Sequence, residues 1–214
     1  SGSFQGGTEV LLIDGDTGDI DETVNIPVVG SSYLYGGAVD GDGNFWGLQN
    51  SARIIRVDRE DFTVQDWSLP GGGPGYGLAV DSQNRIWTCG GGHASRFDPE
   101  TEQWVSTPIA GSGIGGCMTD GEGTLYHSRY SQGVIIAIDT ETVTPYYEYA
   151  IPSYVHGISI DFNGMVWGVT FASSNAYRLD PETEVVDTYG GLVGAYTYSD
   201  MTGFGLSSVS QAAG

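Results

Sequence analysis

Three histidines are the residues of this sequence best suited to chemistry. They are His93, His127 and His156. Because imidazole titrates near neutral pH, one of them beside a carboxylate could act as a general base, and three together could bind a transition metal. Each could equally be a solvated loop residue. The elements that place the histidines decide between these hypotheses.

Those elements belong to a repeat of about 41 residues, the period typical of a propeller blade. Five acidic turns mark it at steps of 44, 40, 41 and 41 residues, beginning at Asp14, Asp58, Asp98, Asp139 and Asp180. A second series of aspartates keeps the same period, and each is followed six positions later by an aromatic residue. The pairs are Asp40 and Trp46, Asp81 and Trp87, Asp120 and Tyr126, and Asp161 and Trp167.

Each unit of the repeat is predicted to contain four short strands. Residues 77–81 (GLAVD) form an apolar first strand, and a turn containing Gly or Asn follows because hairpins need residues that tolerate positive φ. The second strand starts near the Trp, and a polar loop leads to the third. Asp-Pro-Glu-Thr, a type I turn signal, leads to the fourth. Four antiparallel strands in this length form one β-propeller blade.

The sequence therefore predicts a single all-β domain over residues 1–214, a β-propeller with five four-stranded blades. The complete blades are expected at about 35–70, 76–109, 115–151 and 156–190. Residues 1–28 supply part of a fifth, and residues 202–209 resemble one more first strand. We expect the two ends to form a composite blade that closes the ring and covers the sheet edges. A fragment of a propeller with more blades is the alternative.

This topology places several candidate residues on one face of the propeller. The residue before the first-strand Gly of each blade should ring the mouth of the central channel, at Tyr35, Tyr76, Gly115, His156 and Phe204. Second-to-third-strand loops of the same face should add His93, His127 and Arg129. We expect a ligand-binding platform of aromatic and imidazole side chains. The alternative is that the ring only plugs a narrow channel.

Composition limits the partners of the chain. There are 27 acidic residues against 7 Arg and no Lys, giving a formal net charge of −20. Such a surface repels nucleic acid and anionic membranes. We expect a small-molecule, glycan or protein ligand, no membrane insertion, and a secreted, periplasmic or cell-surface location.

The two cysteines, Cys89 and Cys117, lack the C-x-x-C spacing of a zinc or redox motif. They fall in adjacent predicted blades and could approach each other. Two buried free thiols are nevertheless the expected outcome, since unpaired Cys is a common core residue.

Residues 156–167 (HGISIDFNGMVW) resemble the repeat of the virginiamycin B (streptogramin) lyase family, H-G-I-x-x-D-x-x-G-x-x-W. GLAVDSQNRIW and GGAVDGDGNFW are similar, so that the resemblance extends through four repeats. It implies a propeller, although lyases of this family have seven blades. It also implies a magnesium-assisted elimination that opens a cyclic depsipeptide ester, with His as base and Glu as metal ligand.

By this resemblance, Glu should stand three places after the repeat's Trp. Those positions hold Gln49, Gly90, Arg129 and Thr170, and none is acidic. A hard cation needs several oxygen ligands, so we predict no metal site and no cofactor.

The favoured function is a non-catalytic binding domain that uses the channel-mouth face. The alternative is a streptogramin-lyase-like or lactone-hydrolysing enzyme with His156 as general base. An acidic residue near His156 would favour the enzyme, and a continuous aromatic surface would favour binding.

Overall fold

The chain is built from β-strands throughout the part that the structure describes. The structure is a computed structural model, and it describes residues 8–27, 33–49, 52–72, 75–111, 113–129, 132–170 and 173–197. Within these ranges a single 3-10 turn at Pro70–Gly72 interrupts the β-structure. No helix in these ranges has the length and apolar character to cross a membrane. The all-β prediction is confirmed.

The strands form one two-stranded sheet and four four-stranded sheets, all antiparallel and paired in chain order. The first sheet contains β1 (Thr8–Ile13) and β2 (Ile20–Ile26). The second contains β3 (Leu34–Val39), β4 (Phe45–Gln49), β5 (Arg53–Val57) and β6 (Val64–Ser68). The third contains β7 (Gly77–Val80), β8 (Ile86–Gly90), β9 (His93–Asp98) and β10 (Gln103–Pro108). The fourth contains β11 (Cys117–Thr119), β12 (Thr124–Ser128), β13 (Val134–Asp139) and β14 (Thr144–Ala150). The fifth contains β15 (Val155–Ile160), β16 (Val166–Thr170), β17 (Ala176–Leu179) and β18 (Val186–Tyr189).

Successive sheets pack against one another in chain order. Their first strands are neighbours, because β3 contacts β7, β7 contacts β11, and β11 contacts β15. Apolar clusters fill the spaces between sheets; Val24 and Ile26 of the first sheet, for example, pack with Ile55 and Val57 of the second. The predicted return of residues 202–209 to the first sheet lies outside the described residues.

The six-residue spacing between Asp and Trp corresponds to a buried hydrogen bond. The indole Nε1–H of Trp46 donates to Asp40 Oδ2 over 2.8 Å, and that of Trp87 donates to Asp81 Oδ2 over 2.9 Å. Trp167 makes the same bond in the fifth sheet. The other carboxylate oxygen accepts backbone N–H groups of the hairpin turn, as Asp40 Oδ1 does from Asn44. The repeated pair thus joins each turn to its second strand.

The acidic turns between third and fourth strands are longer than the predicted type I turn. The turn Asp accepts backbone N–H groups two and three residues ahead, as Asp98 does from Glu100 and Thr101. The residue four positions after the Asp takes a positive φ in all five copies, at Gly18, Phe62, Glu102, Val143 and Glu184. Only one of these is Gly, so four copies hold a side chain in a left-handed conformation that L-residues disfavour.

The expectation of free thiols is wrong. A disulfide joins Cys89 of β8 to Cys117 of β11, with a Cα–Cα distance of 6.2 Å. Both residues are buried between the third and fourth sheets. Their pairing follows from the packing of adjacent sheets, which brings together strands that are 28 residues apart in the sequence.

Candidate functional site

Tyr35, Tyr76 and His156, from three different sheets, meet where their first strands begin. Tyr35 lies in β3, Tyr76 directly precedes β7, and His156 is the second residue of β15. The Tyr35 hydroxyl donates to the Tyr76 oxygen over 2.9 Å, and the Tyr76 hydroxyl contacts Nε2 of His156. The ring centroids of Tyr76 and His156 are 5.0 Å apart. The structure therefore brings together three of the five predicted ring residues.

Two further tyrosines complete this arrangement, which we call the tyrosine–histidine cluster (Tyr35, Tyr76, Tyr154, His156 and Tyr196). The Tyr154 hydroxyl contacts Nδ1 of His156. Tyr196 stacks on the imidazole with a centroid separation of 5.5 Å, and its hydroxyl lies 3.3 Å from that of Tyr76. The cluster is a continuous set of aromatic rings linked by hydroxyl groups.

The hydrogen bonds of the cluster select one tautomer of His156. The Tyr154 hydroxyl donates to the carbonyl oxygen of Ile114 over 3.0 Å, so its oxygen can accept a proton from Nδ1–H. Nε2 then carries the lone pair and accepts from the Tyr76 hydroxyl. In this chain of hydrogen bonds, Tyr35 donates to Tyr76 and Tyr76 donates to the imidazole. The imidazole in turn donates to Tyr154, and Tyr154 donates to the backbone. These bonds satisfy both ring nitrogens of a neutral His156.

Burial keeps the central groups of the cluster uncharged. His156 is 3% exposed and Tyr76 is 6% exposed, whereas Tyr196 is 41% exposed. Burial lowers the pKa of His156 below its usual value. Burial also raises the pKa of the Tyr76 phenol, and the hydroxyls of Tyr196 and Tyr35 add to that increase. A ligand at this surface would meet neutral polar groups and aromatic faces.

The remaining two ring positions differ from the other three. At Gly115 an added Cβ would overlap the carbonyl oxygen of Ser128, so close backbone approach excludes a side chain there. Phe204 lies outside the described residues. The fourth sheet therefore contributes no side chain at its ring position.

The structure places His127 differently from the prediction, whereas Arg129 lies in the predicted loop. His127 lies within β12 and not in a loop, and its side chain is fully buried, with Nδ1 3.3 Å from the Gly116 carbonyl oxygen. Burial lowers its pKa to about 4. Arg129 follows β12 but its guanidinium pairs with Glu148 of β14. The predicted loop position of His127 is therefore wrong, because β12 extends past it and its side chain is buried. Arg129 lies in the predicted loop between β12 and β13, and its part in ligand binding stays a prediction.

His93 is the first residue of β9 and is exposed, with Nδ1 3.2 Å from the Gly91 carbonyl oxygen. It lies at the same end of its sheet as Tyr76, whose backbone N–H donates to Cys89 at the end of β8. No described contact joins His93 to His156. The three histidines thus have three separate environments.

The positions expected to carry metal ligands in a lyase have structural contacts instead. Gln49 is buried and its amide donates to the Pro27 carbonyl oxygen. The Thr170 hydroxyl, also buried, contacts the Ser173 and Asn175 carbonyl oxygens. Throughout the described residues, no three His, Cys, Asp or Glu side chains are grouped so that they could hold a metal ion.

Tyr154 and Tyr196 were missed by the sequence analysis. A signal for Tyr154 existed, because Tyr33 and Tyr154 each stand two residues before a ring position, and Tyr33 packs edge-on against Tyr35. Tyr196 follows the last described strand and has no counterpart in the repeat. Only the tertiary structure could place it over His156.

Comparisons with known proteins identify the fold. No family model matches the chain, and no curated protein matches it by sequence. Virginiamycin B lyase from Staphylococcus aureus superposes with a TM-score of 0.72 at 17% identity, over 85% of this chain and 62% of the lyase. A streptogramin B lyase superposes with a TM-score of 0.70 at 19% identity, over 86% and 68% of the two chains. A chain of the mitotic checkpoint complex reaches a TM-score of 0.72 at 12% identity, over 86% and 58%.

These similarities show a virginiamycin B lyase-like propeller fold. The chain spans 62% of the length of the S. aureus lyase.

Proposed function

We propose that this chain, which shares the propeller fold of virginiamycin B lyase, is a non-catalytic binding domain. Its ligand is a small molecule, a glycan or a protein segment that packs against the tyrosine–histidine cluster. Tyrosine rings offer flat apolar faces to such a ligand, and their hydroxyls offer hydrogen bonds at the edges. The acidic surface disfavours nucleic acid as the partner.

The observation that carries this proposal is the environment of His156. A general base must reach the proton that it removes. The imidazole is 3% exposed, and tyrosine hydroxyls contact both of its nitrogens. A ligand could instead reach the partly exposed rings around it, those of Tyr35, Tyr154 and Tyr196.

We also infer that the propeller closes into five blades, with residues 202–209 completing the sheet of β1 and β2. That sheet has two strands within the described residues, whereas the other four have four strands each. Its packing on the second sheet through Val24 and Ile26 supports this closure. Closure would hide its free edge.

An oxidising location outside the cytoplasm is part of the proposal. The Cys89–Cys117 disulfide supports it, because structural disulfides persist in secreted, periplasmic and surface proteins.

The alternative function is a streptogramin-lyase-like or lactone-hydrolysing enzyme with His156 as base. The fold similarity favours it, since a catalytically inactive histidine-to-alanine variant of the S. aureus lyase has been solved with quinupristin. The lowered pKa of His156 would also leave the imidazole in its basic form at neutral pH. In the described arrangement, Tyr76 and Tyr154 would have to move before a substrate could reach that base.

One experiment separates the two functions. The protein is incubated with quinupristin and Mg²⁺, and liquid chromatography follows opening of the ring. We expect no ring opening. Turnover that His156→Ala abolishes would overturn the binding proposal in favour of the enzyme.

Binding is tested with neutral oligosaccharides as probes, followed by isothermal titration calorimetry. Tyr196→Ala should weaken binding about fivefold or more, because stacking on one aromatic ring contributes about 1 kcal/mol. Tyr189→Ala is the matched control, since Tyr189 is similarly exposed but stacks on Trp167 in the fifth sheet. An absence of binding, or an equal loss in both variants, would contradict a glycan site at the cluster.

A further inference from the structure

A cavity of about 620 Å³ lies between the fourth and fifth sheets, away from the tyrosine–histidine cluster. It is bordered by the turns that follow β11, β15 and β17, which begin at Asp120, Asp161 and Asp180. His156 lies at the start of β15, and these turns lie at the opposite end of the sheets. We call it the inter-sheet cavity, and it is independent of the function proposed above.

Aromatic side chains form the walls of the inter-sheet cavity. Tyr126 and Tyr149 are buried with ring centroids 6.2 Å apart, while Tyr146 and Phe162 lie at the rim. Phe162 is 75% exposed. Phe162 and Tyr146 thus present apolar and aromatic surface at the mouth of the cavity.

Phe162 is unusual for its place in the repeat. The equivalent residue of the other hairpin turns, directly after the repeat Asp, is Gly41, Ser82 or Gly121. These small residues suit a tight turn, and a large aromatic ring is not needed to form one. The ring at position 162 therefore adds apolar surface to the cavity rim without serving the turn.

Four carboxylates complete the lining, and the described lining contains no Arg. They are Asp120, Glu122, Asp180 and Glu182. Side-chain and backbone hydrogen bonds from Thr183 lower the pKa of Asp180, so this group is ionised at neutral pH. The nearby guanidinium of Arg178, which also lowers that pKa, forms its ion pair with Asp187 of β18.

Asp120 also differs from its counterparts in the other complete repeats. In those sheets the second carboxylate oxygen accepts an indole N–H, as Asp161 Oδ2 does from Trp167. Here Tyr126 stands at the Trp position, so no indole donates to Asp120. Its Oδ1 still accepts the turn N–H groups of Glu122 and Thr124. Because Tyr replaces Trp in this repeat, the second carboxylate oxygen of Asp120 can accept a hydrogen bond from a ligand in the cavity.

We propose that the inter-sheet cavity binds an arginine side chain of a peptide. A guanidinium group stacks flat on aromatic rings and donates in parallel to carboxylate oxygens. The tyrosine walls, the Phe162 rim and the four carboxylates present both kinds of contact in one cavity. Lysine fits less well, because its compact, strongly hydrated ammonium gains less from stacking.

The test measures binding of the peptide acetyl-Gly-Arg-Gly-amide to the full chain by calorimetry at low ionic strength. The same peptide with citrulline, which keeps the shape without the charge, is expected not to bind. A lysine peptide is expected to bind more weakly. Equal binding of the citrulline or the lysine peptide would overturn the guanidinium assignment, as would the absence of binding at millimolar concentrations.

Two identical turns provide the matched variants. Glu100 and Glu182 occupy the same position of Asp-Pro-Glu-Thr-Glu turns in the third and fifth sheets, but Glu182 alone lines the cavity. Glu182→Gln should weaken arginine-peptide binding about threefold or more, and Glu100→Gln, with the same loss of net charge, should leave it nearly unchanged. Phe162→Ala should weaken binding about two- to fivefold, as expected for a partly exposed cation–π contact. An equal effect of Glu100→Gln and Glu182→Gln would show non-specific attraction to the acidic surface and overturn the proposal.

Discussion

Burial of His127 should make the stability of this protein fall as the pH drops from neutral. The side chain is fully buried in β12, and burial lowers its pKa to about 4 in the folded state. Arg129, two residues away, disfavours the protonated form further. In the unfolded chain the same imidazole titrates near its ordinary value of 6.5.

The magnitude follows from the difference between these two pKa values. Between pH 6.5 and pH 4 the unfolded chain binds a proton that the folded chain does not bind, so the free energy of unfolding decreases as the pH decreases. The contribution is fully present above pH 6.5 and is lost progressively below it. Linkage with these values gives a loss of about 2 kcal/mol by pH 5 and about 3 kcal/mol by pH 4.

Urea unfolding at a series of pH values between 8 and 5, followed by tryptophan fluorescence, measures this slope. Carboxylates with lowered pKa values contribute little to the slope in this range. Their contribution to the free energy of unfolding is lost only when the pH falls below the ordinary pKa of a carboxyl group, about 4, and through the lowered value. The variant His127→Gln removes the titrating group, and its stability should depend less on pH by about 2 kcal/mol at pH 5. His93→Gln is the control, since His93 is exposed at the start of β9.

The comparison uses how steeply the free energy of unfolding changes with pH in each variant. It therefore holds even if His127→Gln is less stable at every pH. His156, which is also buried, contributes to the slope in wild type and in both variants alike. If wild type and His127→Gln lose stability in parallel between pH 8 and pH 5, His127 does not titrate with a lowered pKa and its buried placement is wrong.

Three further predictions concern the disulfide, the repeat hydrogen bond and the left-handed turn residue. The double variant Cys89→Ser with Cys117→Ser should lose about 3.5 kcal/mol of unfolding free energy, because the disulfide closes a loop of 28 residues. Urea unfolding of the oxidised wild type and of the variant measures this loss, and equal midpoints would refute it. Trp87→Phe should cost about 2 kcal/mol or more, since it removes a buried hydrogen bond to the carboxylate of Asp81; thermal unfolding by circular dichroism measures the loss. Glu102→Gly should stabilise the fold by about 0.5–1 kcal/mol, because Gly relieves a positive φ of 56°, whereas Glu102→Ala should bring no gain in the same assay.

Much of the fold could be predicted from the sequence because its signals are local. The turn aspartates, the glycines of the hairpins and the aromatic residue six positions later each act within a few residues of the chain. Their regular spacing therefore revealed strands and turns without knowledge of the packing. The same regularity placed Tyr35, Tyr76 and His156 at equivalent positions, and the starts of the first strands lie close together.

Other features of the site depend on which side chains the neighbouring sheets bury or bring together. The sequence by itself did not determine these features. His127 was assigned to a loop, but the strand β12 extends past it and the adjacent sheets bury it. The pairing of Cys89 with Cys117 depends on a distance between two sheets, and no local pattern encodes that distance. Tyr196 has no counterpart in the repeat, so only the folded chain shows that it stacks on His156. Local chemistry determined the repeating unit, and packing between units determined which side chains meet, which are buried and where a ligand could bind.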